Sequence, residues 1–490
     1  MISLGIDIGG IGCKCVAFNH LGEQLAVAYR EYPLCPGQMS ISPEILRDEV
    51  FSVIKQCVGQ LANPKEILTI SVSSFGESFV AFDTAKRPVD DIILYYADKP
   101  CEAFKTLVSR VGQERFMQIC RVLPDASYSL SKMLYTMQRH NRKVGKFLFV
   151  ASYICHCLCG ASVCDVSLAC RSLLYDVNHQ CWSDEILKEA SISEDQLPEV
   201  VPTGTIVGKL FPEIAHVLHL SSDVNVLIGA HDQIVNALGA GLRSAGEAVD
   251  TCGTCECITP LFCQLPEDLQ FPRNNYASVP YLGKHGYVTY AYNLSAGSVV
   301  RWFRDVLGGA FAKEVAWEGE SIYDVLNRFC PRLPSNLMFL PFLQGMGGTP
   351  DVRPDATGSI LGLTTSTRLP DIYRAILEGI TYEICYNKEF LTKSGIKFDK
   401  LFACGGGARS AVWLQIKADI LGCDIIPVLT EETGAMGSAI LGIAAISGEE
   451  PTEIASRFVR YGNTIKPDIS NQSVYQKKYS LYKQLRSSLC

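Results

Sequence analysis

Three turns in this 490-residue chain have residue types suited to phosphate or proton chemistry. The first is GIDIGGIGCK, residues 5–14, in which Asp7 ends an apolar run and Gly9, Gly10 and Lys14 follow. Glycines expose backbone N–H groups that suit phosphate oxygens, and Lys14 adds a positive charge. Asp7 suits a magnesium ion held through water. The alternative is a plain β-hairpin, whose glycines meet positive-φ requirements and whose Asp7 is a turn acid.

The second turn is CGGGARS, residues 404–410. It lies between the strand-like KLFACG and the helix-like SAVWLQIKADILG, so its glycines lead into a helix N-terminus, where free amides bind phosphate. A tight strand-to-helix connection is the alternative. Neither turn matches G-x-x-x-x-G-K-[ST], and the first is no good match to G-x-G-x-x-G followed by a helix.

The third turn is GAHDQ, in which Asp232 follows the apolar VNVLIG and precedes a helical pattern. This places a carboxylate at the end of a strand beside free helix amides, where it suits a general base that takes a proton from a substrate hydroxyl. His231 and Gln233 stand next to it. The alternative is an N-cap aspartate. Glu77, in SSFGESFVAFD, is either an exposed turn acid or a substrate ligand.

The elements that position these turns alternate between strand and helix patterns, which predicts an α/β fold. MISLGIDI, CKCVAFN and EQLAVAYREY predict an antiparallel meander, SPEILRDEVFSVIKQCV predicts a helix, and ILTISVSSFG predicts a strand. EAVDTCGTCECIT repeats the opening pattern about 240 residues later, with an Asp and a Gly-centred turn between β-type arms. This repeat has two possible explanations, which are two related halves of the chain or a chance likeness between two short segments.

Length and charge narrow the class of protein. A chain of 490 residues predicts two or more domains, and a net charge of −7 argues against a nucleic-acid partner. The N-terminus has no signal-peptide pattern. The apolar stretch FLFVASYICHCLCGA has about 15 residues, fewer than the roughly 20 that a bilayer requires. We therefore expect no membrane span.

The chain contains 21 cysteines. Without a secretion signal they indicate thiols kept reduced in the cytosol, so we expect a cytoplasmic protein. Two clusters, CHCLC and CGTCEC, contain metal-ligand residue types but lack a second ligand arm at zinc-finger spacing. Whether they bind metal stays open.

Together these segments resemble the FGGY family of carbohydrate kinases, in the actin-like ATPase superfamily, over essentially the whole chain. GSILGLTTSTRLPDIYRAILEG is similar to the family's C-terminal signature, and GGGARSAVWLQIKADILGCDI and EETGAMGSAILG follow in the expected order. The resemblance implies an α/β fold of two actin-like (ribonuclease H-like) domains, residues 1–245 and 246–490, with a central cleft. It assigns sugar binding, the first phosphate hairpin and the catalytic Asp to the first domain, and ATP binding to the second.

The implied reaction is transfer of the γ-phosphoryl group of ATP, with Mg²⁺, to a hydroxyl of a ketose or related sugar such as xylulose. Asp232 is implied as the catalytic base, with Gly76, Glu77 and Gln233 binding the acceptor. Asp7 is also implied as the residue near magnesium. Nucleotide and phosphate contacts are implied for Asp7, Gly9, Gly10, Lys14, Gly253, Thr254, Gly297, Arg301, Gly406, Gly407 and Ser410.

Two departures from the family leave the acceptor open. Gly10 and Ile11 replace the usual hydroxyl residues of the first hairpin, so phosphate contacts there fall to backbone amides and Lys14. The segment SFGE differs from the GQMH of typical xylulokinases: its Phe-Gly resembles rhamnulose and fuculose kinases, and its Glu resembles glycerol kinase. An acceptor-contacting Tyr of glycerol kinase aligns near Ser127, one residue from Tyr128, so we assign no role there.

The alternative acceptors are a 6-deoxyketose and a glycerol-type polyol. The alternatives of a different class are an actin-like ATPase switch without sugar kinase activity and a metal or redox protein built on the cysteines. A small-molecule substrate is the partner that the resemblance implies, with no nucleic acid or membrane, and a homodimer is one expectation for the assembly.

Overall fold

The computed structural model of the chain describes residues 1–97, 101–283 and 285–489. The chain divides into two compact units. Unit 1 comprises Met1–Arg243, Ala277–Tyr287 and Glu432–Val459, and unit 2 comprises Ser244–Tyr276, Val288–Glu431 and Arg460–Cys490. This division differs from a single boundary between residues 245 and 246, because two segments from the second half of the sequence belong to unit 1.

The strands, in chain order, are β1 (Ile2–Ile8), β2 (Gly12–Asn19), β3 (Gln24–Glu31), β4 (Ser40–Ile41), β5 (Ile67–Ser74), β6 (Phe79–Phe82), β7 (Ile92–Ile93), β8 (Lys146–Phe149), β9 (Val163–Asp165), β10 (Tyr175–Asp176), β11 (Cys181–Trp182), β12 (Glu199–Val201), β13 (Ile206–Lys209), β14 (Asn225–His231), β15 (Glu247–Cys252), β16 (Glu256–Phe262), β17 (Val279–Pro280), β18 (Tyr287–Val288), β19 (Ala291–Asn293), β20 (Met338–Leu340), β21 (Ser359–Leu361), β22 (Lys400–Cys404) and β23 (Asp424–Pro427).

The α-helices are α1 (Pro43–Val58), α2 (Glu102–Val111), α3 (Gln113–Cys120), α4 (Ser129–Arg139), α5 (Val150–Cys159), α6 (Val166–Cys170), α7 (Asp184–Ala190), α8 (Pro212–Leu218), α9 (Asp232–Gly239), α10 (Gln270–Arg273), α11 (Gly297–Trp302), α12 (Gly309–Trp317), α13 (Ile322–Phe329), α14 (Leu369–Lys393), α15 (Ala411–Leu421), α16 (Thr433–Ser447), α17 (Pro451–Phe458) and α18 (Ile469–Leu489).

Unit 1 is built on a six-stranded sheet in the order β13-β14-β5-β1-β2-β3. Strands β1, β2 and β3 pair antiparallel, as the alternating pattern of the sequence predicts, and β1 pairs parallel with β5, which pairs parallel with β14. In the first hairpin Asp7 lies opposite Lys14, and the Gly9 N–H donates to the Gly12 carbonyl at 2.9 Å. The predicted hairpin is therefore present at the edge of the sheet where β1, β5 and β14 end.

The sheet of unit 2 repeats this pattern of pairing. Strand β15 pairs antiparallel with β16, which pairs antiparallel with β19, and β15 pairs parallel with β22, which pairs parallel with β23. The Gly253 N–H donates to the Cys255 carbonyl at 2.9 Å, as Gly9 does to Gly12 in the first hairpin. The shared order of parallel and antiparallel neighbours supports the predicted relation between the two halves.

Helix α16 explains why residues 432–459 belong to unit 1. A Cβ added at Gly437 would lie 1.8 Å from the Val235 carbonyl oxygen of α9. A Cβ added at Gly5 of β1 would lie 1.9 Å from the Ala435 carbonyl oxygen of α16. The backbones of β1, α9 and α16 therefore touch directly, which only small residues allow.

We expect Gly437→Ala to lower the free energy of unfolding by about 1–3 kcal/mol, because the added methyl group overpacks this contact. Urea denaturation of the purified variant measures the change. Gly309→Ala is the matched control, since a Cβ at that helical position meets no atom within 4 Å. Equal stability of the two variants would contradict the close contact between α9 and α16.

The longest apolar stretch of the sequence forms two elements, β8 and α5, rather than one helix. Across the described residues, none of the helices combines the length and the apolar character needed to cross a bilayer. The cysteines of the described part of the chain are free thiols.

Candidate active site

Asp232 lies at the junction of β14 and α9 in unit 1. The N-cap position is occupied by His231, whose Nδ1 accepts a hydrogen bond from the Gln233 N–H at 3.3 Å. The interpretation of Asp232 as an N-cap is therefore wrong: it is the first helical residue. Its Oδ1 is buried without a hydrogen-bond partner among the described residues. Such an oxygen is costly to bury, so it suits a site that a ligand completes.

The surroundings of Asp232 favour the protonated carboxyl. The pKa of Asp232 is raised to about 8, mainly by burial and also by the carboxylates of Asp7 and Glu77, while hydrogen bonds from Gln233 act in the opposite direction. The pKa of His231 falls well below its usual value because of burial and the positive charge of Arg171, so His231 is neutral. A buried carboxyl with raised proton affinity suits a general base.

A buried network holds the junction in place. Asp165, fully buried at the start of α6, accepts hydrogen bonds from the Ser167 hydroxyl at 2.7 Å and from Thr203 Oγ1 at 2.9 Å. The Ser167 hydroxyl in turn accepts from the His231 backbone N–H at 2.8 Å. This network fixes the backbone just before Asp232. We did not predict it, although the Asp-x-Ser spacing of a helix cap was readable in the sequence.

Glu77 lies in the turn between β5 and β6. It is only 7% exposed, so the alternative of an exposed turn acid is wrong. Its Oε1 accepts hydrogen bonds from Nε and Nη2 of Arg171, whose guanidinium lies 4.7 Å from the centroid of the Tyr128 ring. Arg171 was not predicted as a site residue, because it belongs to no recognisable local motif, and Tyr128 was assigned no role, because the acceptor-contacting Tyr of glycerol kinase aligns one residue away.

Gly76 allows this turn to approach the Asp232 junction. A Cβ at Gly76 would lie 2.8 Å from Cγ of Arg171 and 2.9 Å from Cδ2 of His231. Gln233 Oε1 is a second buried oxygen without a hydrogen-bond partner in the described part of the chain. Unit 1 therefore brings the predicted acceptor residues Gly76 and Glu77 close to the junction that carries Asp232 and Gln233.

Asp7 lies against the first turn of α16. A Cβ at Gly434 would be 2.6 Å from Oδ2 of Asp7. Burial raises the pKa of Asp7 to about 6, with Lys14 lowering it and Glu432 raising it. Lys14 Nζ forms an ion pair with Glu432. The lysine predicted to face phosphate is thus engaged by an acid at the start of α16.

The first glycine turn itself is tightly fitted. A Cβ at Gly10 would lie 2.6 Å from Cε1 of Tyr95, while a Cβ at Gly9 comes no closer than 3.2 Å, to the Gly12 carbonyl oxygen. Ile11, at the tip of the turn, is 68% exposed. The side chain that stands where the family carries a hydroxyl residue therefore points largely to solvent.

Unit 2 contains a cavity of about 680 Å³. This volume lies within the range of small-molecule sites, roughly 300–1,000 Å³. Every nucleotide-contacting residue that we predicted from this unit lines the cavity: Gly253, Thr254, Gly297, Arg301, Gly406, Gly407 and Ser410. A second group of lining residues was not predicted from the sequence and adds cationic, aromatic and amide side chains: Arg304, Tyr323, Asn327, Tyr373, Arg409 and Trp413.

The glycines bring three backbone segments together at the cavity. A Cβ at Gly297 would lie 2.1 Å from the Gly253 carbonyl oxygen, so α11 begins directly against the second hairpin. Gly405, with φ of 81°, turns the chain after β22. Ser410 then caps α15 by accepting from the Trp413 N–H at 3.2 Å. The predicted strand-to-helix turn is therefore present, and Gly406, Gly407 and Ser410 of this turn line the cavity.

A buried ion cluster lies beneath the second hairpin. Lys417 Nζ forms ion pairs with Asp250 of β15 and, at 2.6 Å, with Glu256 of β16. All three side chains are at most 1% exposed, and Nζ lies 4.8 Å from the centroid of the Trp413 ring. Burial raises the pKa of Glu256. Lys417 therefore ties both arms of the hairpin to the helix that follows CGGGARS.

The described residues contain no group of three or more His, Cys, Asp or Glu side chains arranged to hold a metal ion. Mg²⁺ in proteins is commonly bound by one or two carboxylates, with its remaining ligands from water and phosphate.

Comparisons with known sequences match the chain in two parts. The family model for the N-terminal domain of the FGGY family of carbohydrate kinases matches residues 2–239, and the model for the C-terminal domain matches residues 249–446. A gluconokinase of Bacillus licheniformis is 28% identical over 498 residues, covering 99% of this chain and 96% of the relative. A xylulose kinase of Bacillus subtilis is 26% identical over 496 residues, covering 98% and 96%.

Solved structures show the same fold. A ligand-bound xylulose kinase from Lactobacillus acidophilus has a TM-score of 0.88 at 22% identity and covers 100% of this chain and 98% of its own. A Plasmodium falciparum glycerol kinase with ADP has a TM-score of 0.86 at 18% identity, with coverage of 100% and 98%. These likenesses confirm the predicted α/β fold class of two actin-like domains.

Proposed function

Because the chain belongs to the FGGY family of carbohydrate kinases, we propose that it transfers the γ-phosphoryl group of ATP to a hydroxyl of a neutral ketose such as xylulose. Membership makes the protein a sugar phosphotransferase of a family that uses ATP, as we expected. The observation that favours a neutral acceptor over a sugar acid is the concentration of carboxylates around Asp232.

The charge of this region favours a neutral acceptor. The carboxylates of Asp7 and Glu77 both raise the pKa of Asp232, and the charge of Arg171 is matched by Glu77. His231 is neutral. An acceptor that carries its own carboxylate would meet repulsion in a partly buried site, where charges interact more strongly than in water.

In the proposed reaction Asp232 accepts the proton of the attacking hydroxyl. Gln233 and Glu77 supply further polar groups to the acceptor, and Gly76 keeps their two segments close. Little covalent chemistry falls to the protein in phosphoryl transfer, since positioning and charge neutralisation provide most of the acceleration. The buried, unpartnered Oδ1 of Asp232 supports this role.

ATP is proposed to bind in the cavity of unit 2. Gly253 and Thr254 line this cavity, the amides at Gly406 and Gly407 suit phosphate oxygens, and Arg301 supplies positive charge. Mg²⁺ neutralises phosphate charge when bound. Asp7 fits as its protein ligand, because a carboxyl whose pKa is raised by burial gains from a nearby cation.

Within unit 1, the Gly10 amide of the first hairpin is proposed to bind a phosphate oxygen, since the Gly9 N–H already donates to the Gly12 carbonyl. Lys14 reaches phosphate only after its ion pair with Glu432 opens, so its contribution depends on that pair. The homodimer and the cytoplasmic location stay predictions.

A second acceptor, gluconate, is favoured by one observation: the gluconokinase of Bacillus licheniformis is 28% identical to this chain. The 6-deoxyketose and glycerol-type acceptors rest on the SFGE segment alone. An actin-like ATPase switch without kinase activity is disfavoured, because both domains match a family of carbohydrate kinases.

A coupled ADP-release assay with D-xylulose, L-rhamnulose, D-gluconate and glycerol tests the proposal. We expect kcat/KM for the best neutral ketose to exceed that for gluconate by at least about tenfold, which is a difference of about 1.4 kcal/mol in transition-state binding. Mass spectrometry of the product confirms transfer to the sugar. Gluconate as the best substrate, or ADP release that no sugar changes, would refute the proposal.

A further inference from the structure

We propose that Arg171 is a specificity-determining residue, and that its pairing with Glu77 makes the acceptor site select neutral sugars over sugar acids. The inference deepens the proposed function and rests on it, since it concerns the same acceptor. It adds a residue that no local motif of the sequence singles out.

The contact between Arg171 and Glu77 is close and shielded. Nε and Nη2 of Arg171 both approach Oε1 of Glu77, and the two side chains are 15% and 9% exposed. The guanidinium lies 4.7 Å from the centroid of the Tyr128 ring. Such a partly buried pair interacts more strongly than one in open solvent.

The backbone of Glu77 is held in an unfavourable conformation. Its φ of 59° lies in the left-handed region, which residues with a side chain seldom adopt. Lys132, fully buried, donates to the carbonyls of Glu77 at 3.2 Å, Tyr95 at 3.4 Å and Ser127 at 2.6 Å. A strained residue that its surroundings hold in place is typical of a functional site.

The pair also lies close enough to the catalytic junction to act on it. A Cβ at Gly76 would contact both Arg171 and His231, and the charge of Arg171 lowers the pKa of His231. The charge of Glu77 raises the pKa of Asp232. Removing one charge of the pair is therefore expected to change both the binding of the acceptor and the pKa of Asp232.

Selection follows from the chemistry of the two partners. A sugar hydroxyl donates and accepts, so it suits a site that presents a guanidinium beside a carboxylate. A sugar acid brings a negative charge to a region that already holds the carboxylates of Asp7 and Glu77, which disfavour a further negative charge at Asp232. The ion pair with Glu77 matches the charge of Arg171 within the protein, so Arg171 does not attract the acid.

The first test compares acceptors in charge variants of the pair. We expect Glu77→Gln to raise the ratio of kcat/KM for gluconate to that for xylulose by at least about tenfold, and Arg171→Gln to lower it. Glu213→Gln, which removes an exposed carboxylate of α8, is the matched control and should leave the ratio within twofold.

The second test is the pH profile of kcat/KM for xylulose. If the pair had a purely structural role, the two variants would not shift the acid limb of this profile in opposite directions. The carboxylates of Asp7 and Glu77 act on the pKa of Asp232, and Arg171 pairs with Glu77 and lowers the pKa of the neighbouring, neutral His231. Removing the negative charge in Glu77→Gln moves the acid limb to lower pH, and removing the positive charge in Arg171→Gln moves it to higher pH.

The outcomes separate this inference from the proposed function. A wild-type preference for gluconate refutes the proposed acceptor, whatever the variants do. A wild-type preference for xylulose, with the acceptor ratio and the acid limb both unchanged in Arg171→Gln, overturns the inference alone. If Glu77→Gln fails to fold, by circular dichroism, Arg171→Gln still decides the question, because its two shifts have a stated direction.

Discussion

Replacement of Asp232 by asparagine is expected to lower kcat for sugar phosphorylation by about 10²–10⁴-fold, the usual range for loss of a general base. The substitution keeps the shape of the side chain and removes its ability to accept the proton. The predicted ATP contacts of unit 2 are untouched, so affinity for ATP should change little. The loss should therefore appear in kcat rather than in nucleotide binding.

Two measurements check this result. The coupled ADP assay with the best acceptor gives kcat, and titration calorimetry with an ATP analogue gives nucleotide affinity. Asp223→Asn, a change of the same kind at an exposed residue of unit 1, serves as the control and should leave kcat within twofold. If Asp232→Asn keeps more than half of the wild-type rate, Asp232 is not the base.

Replacement of Lys417 by methionine is expected to lower the free energy of unfolding by about 3–5 kcal/mol, the usual cost of removing one partner from a buried ion pair. Asp250 and Glu256 would remain buried without their common cation. Because these acids lie on the two arms of the second hairpin, the variant should also bind ATP more weakly. Urea denaturation and nucleotide titration measure the two effects.

The reason for the loss is tested by removing the acids as well. The triple variant Lys417→Met, Asp250→Asn, Glu256→Gln should recover much of the stability, since no charge is then left unpaired. Lys477→Met, at an exposed position of α18, is the control and should cost less than about 0.5 kcal/mol. A loss below about 1 kcal/mol in Lys417→Met would show that the pairing contributes little.

The sequence predicted the local features around the site because each has a short-range cause. Apolar alternation predicted β1 to β3, and the Ser42-Pro43 start predicted α1, whose N-cap is Ser42. The glycine turns of both hairpins were predicted from backbone requirements that a few adjacent residues express. The residues of unit 2 that we predicted to contact the nucleotide came from the family resemblance, and they line one cavity.

Other features depend on which partner a side chain meets. The sequence left Asp232 open as an N-cap and Glu77 open as an exposed turn acid, and the structure excludes both. In each case the deciding contact is tertiary: His231 takes the cap position, and Arg171, 94 residues away, buries Glu77. No periodic sequence pattern predicts such a contact, because the residue types near each partner fit their own helix, strand or turn whether or not the contact forms.

The sequence by itself determined the strand and helix pattern and the two glycine hairpins, because these follow from local residue order, and its resemblance to a known family indicated the class of reaction. The tertiary structure alone decided that residues 432–459 pack in unit 1, that Lys14 meets Glu432 across 418 residues, and that Lys417 joins Asp250 across 167. These pairings follow from close packing and from the need to neutralise buried charge, which act between segments wherever the fold brings them together.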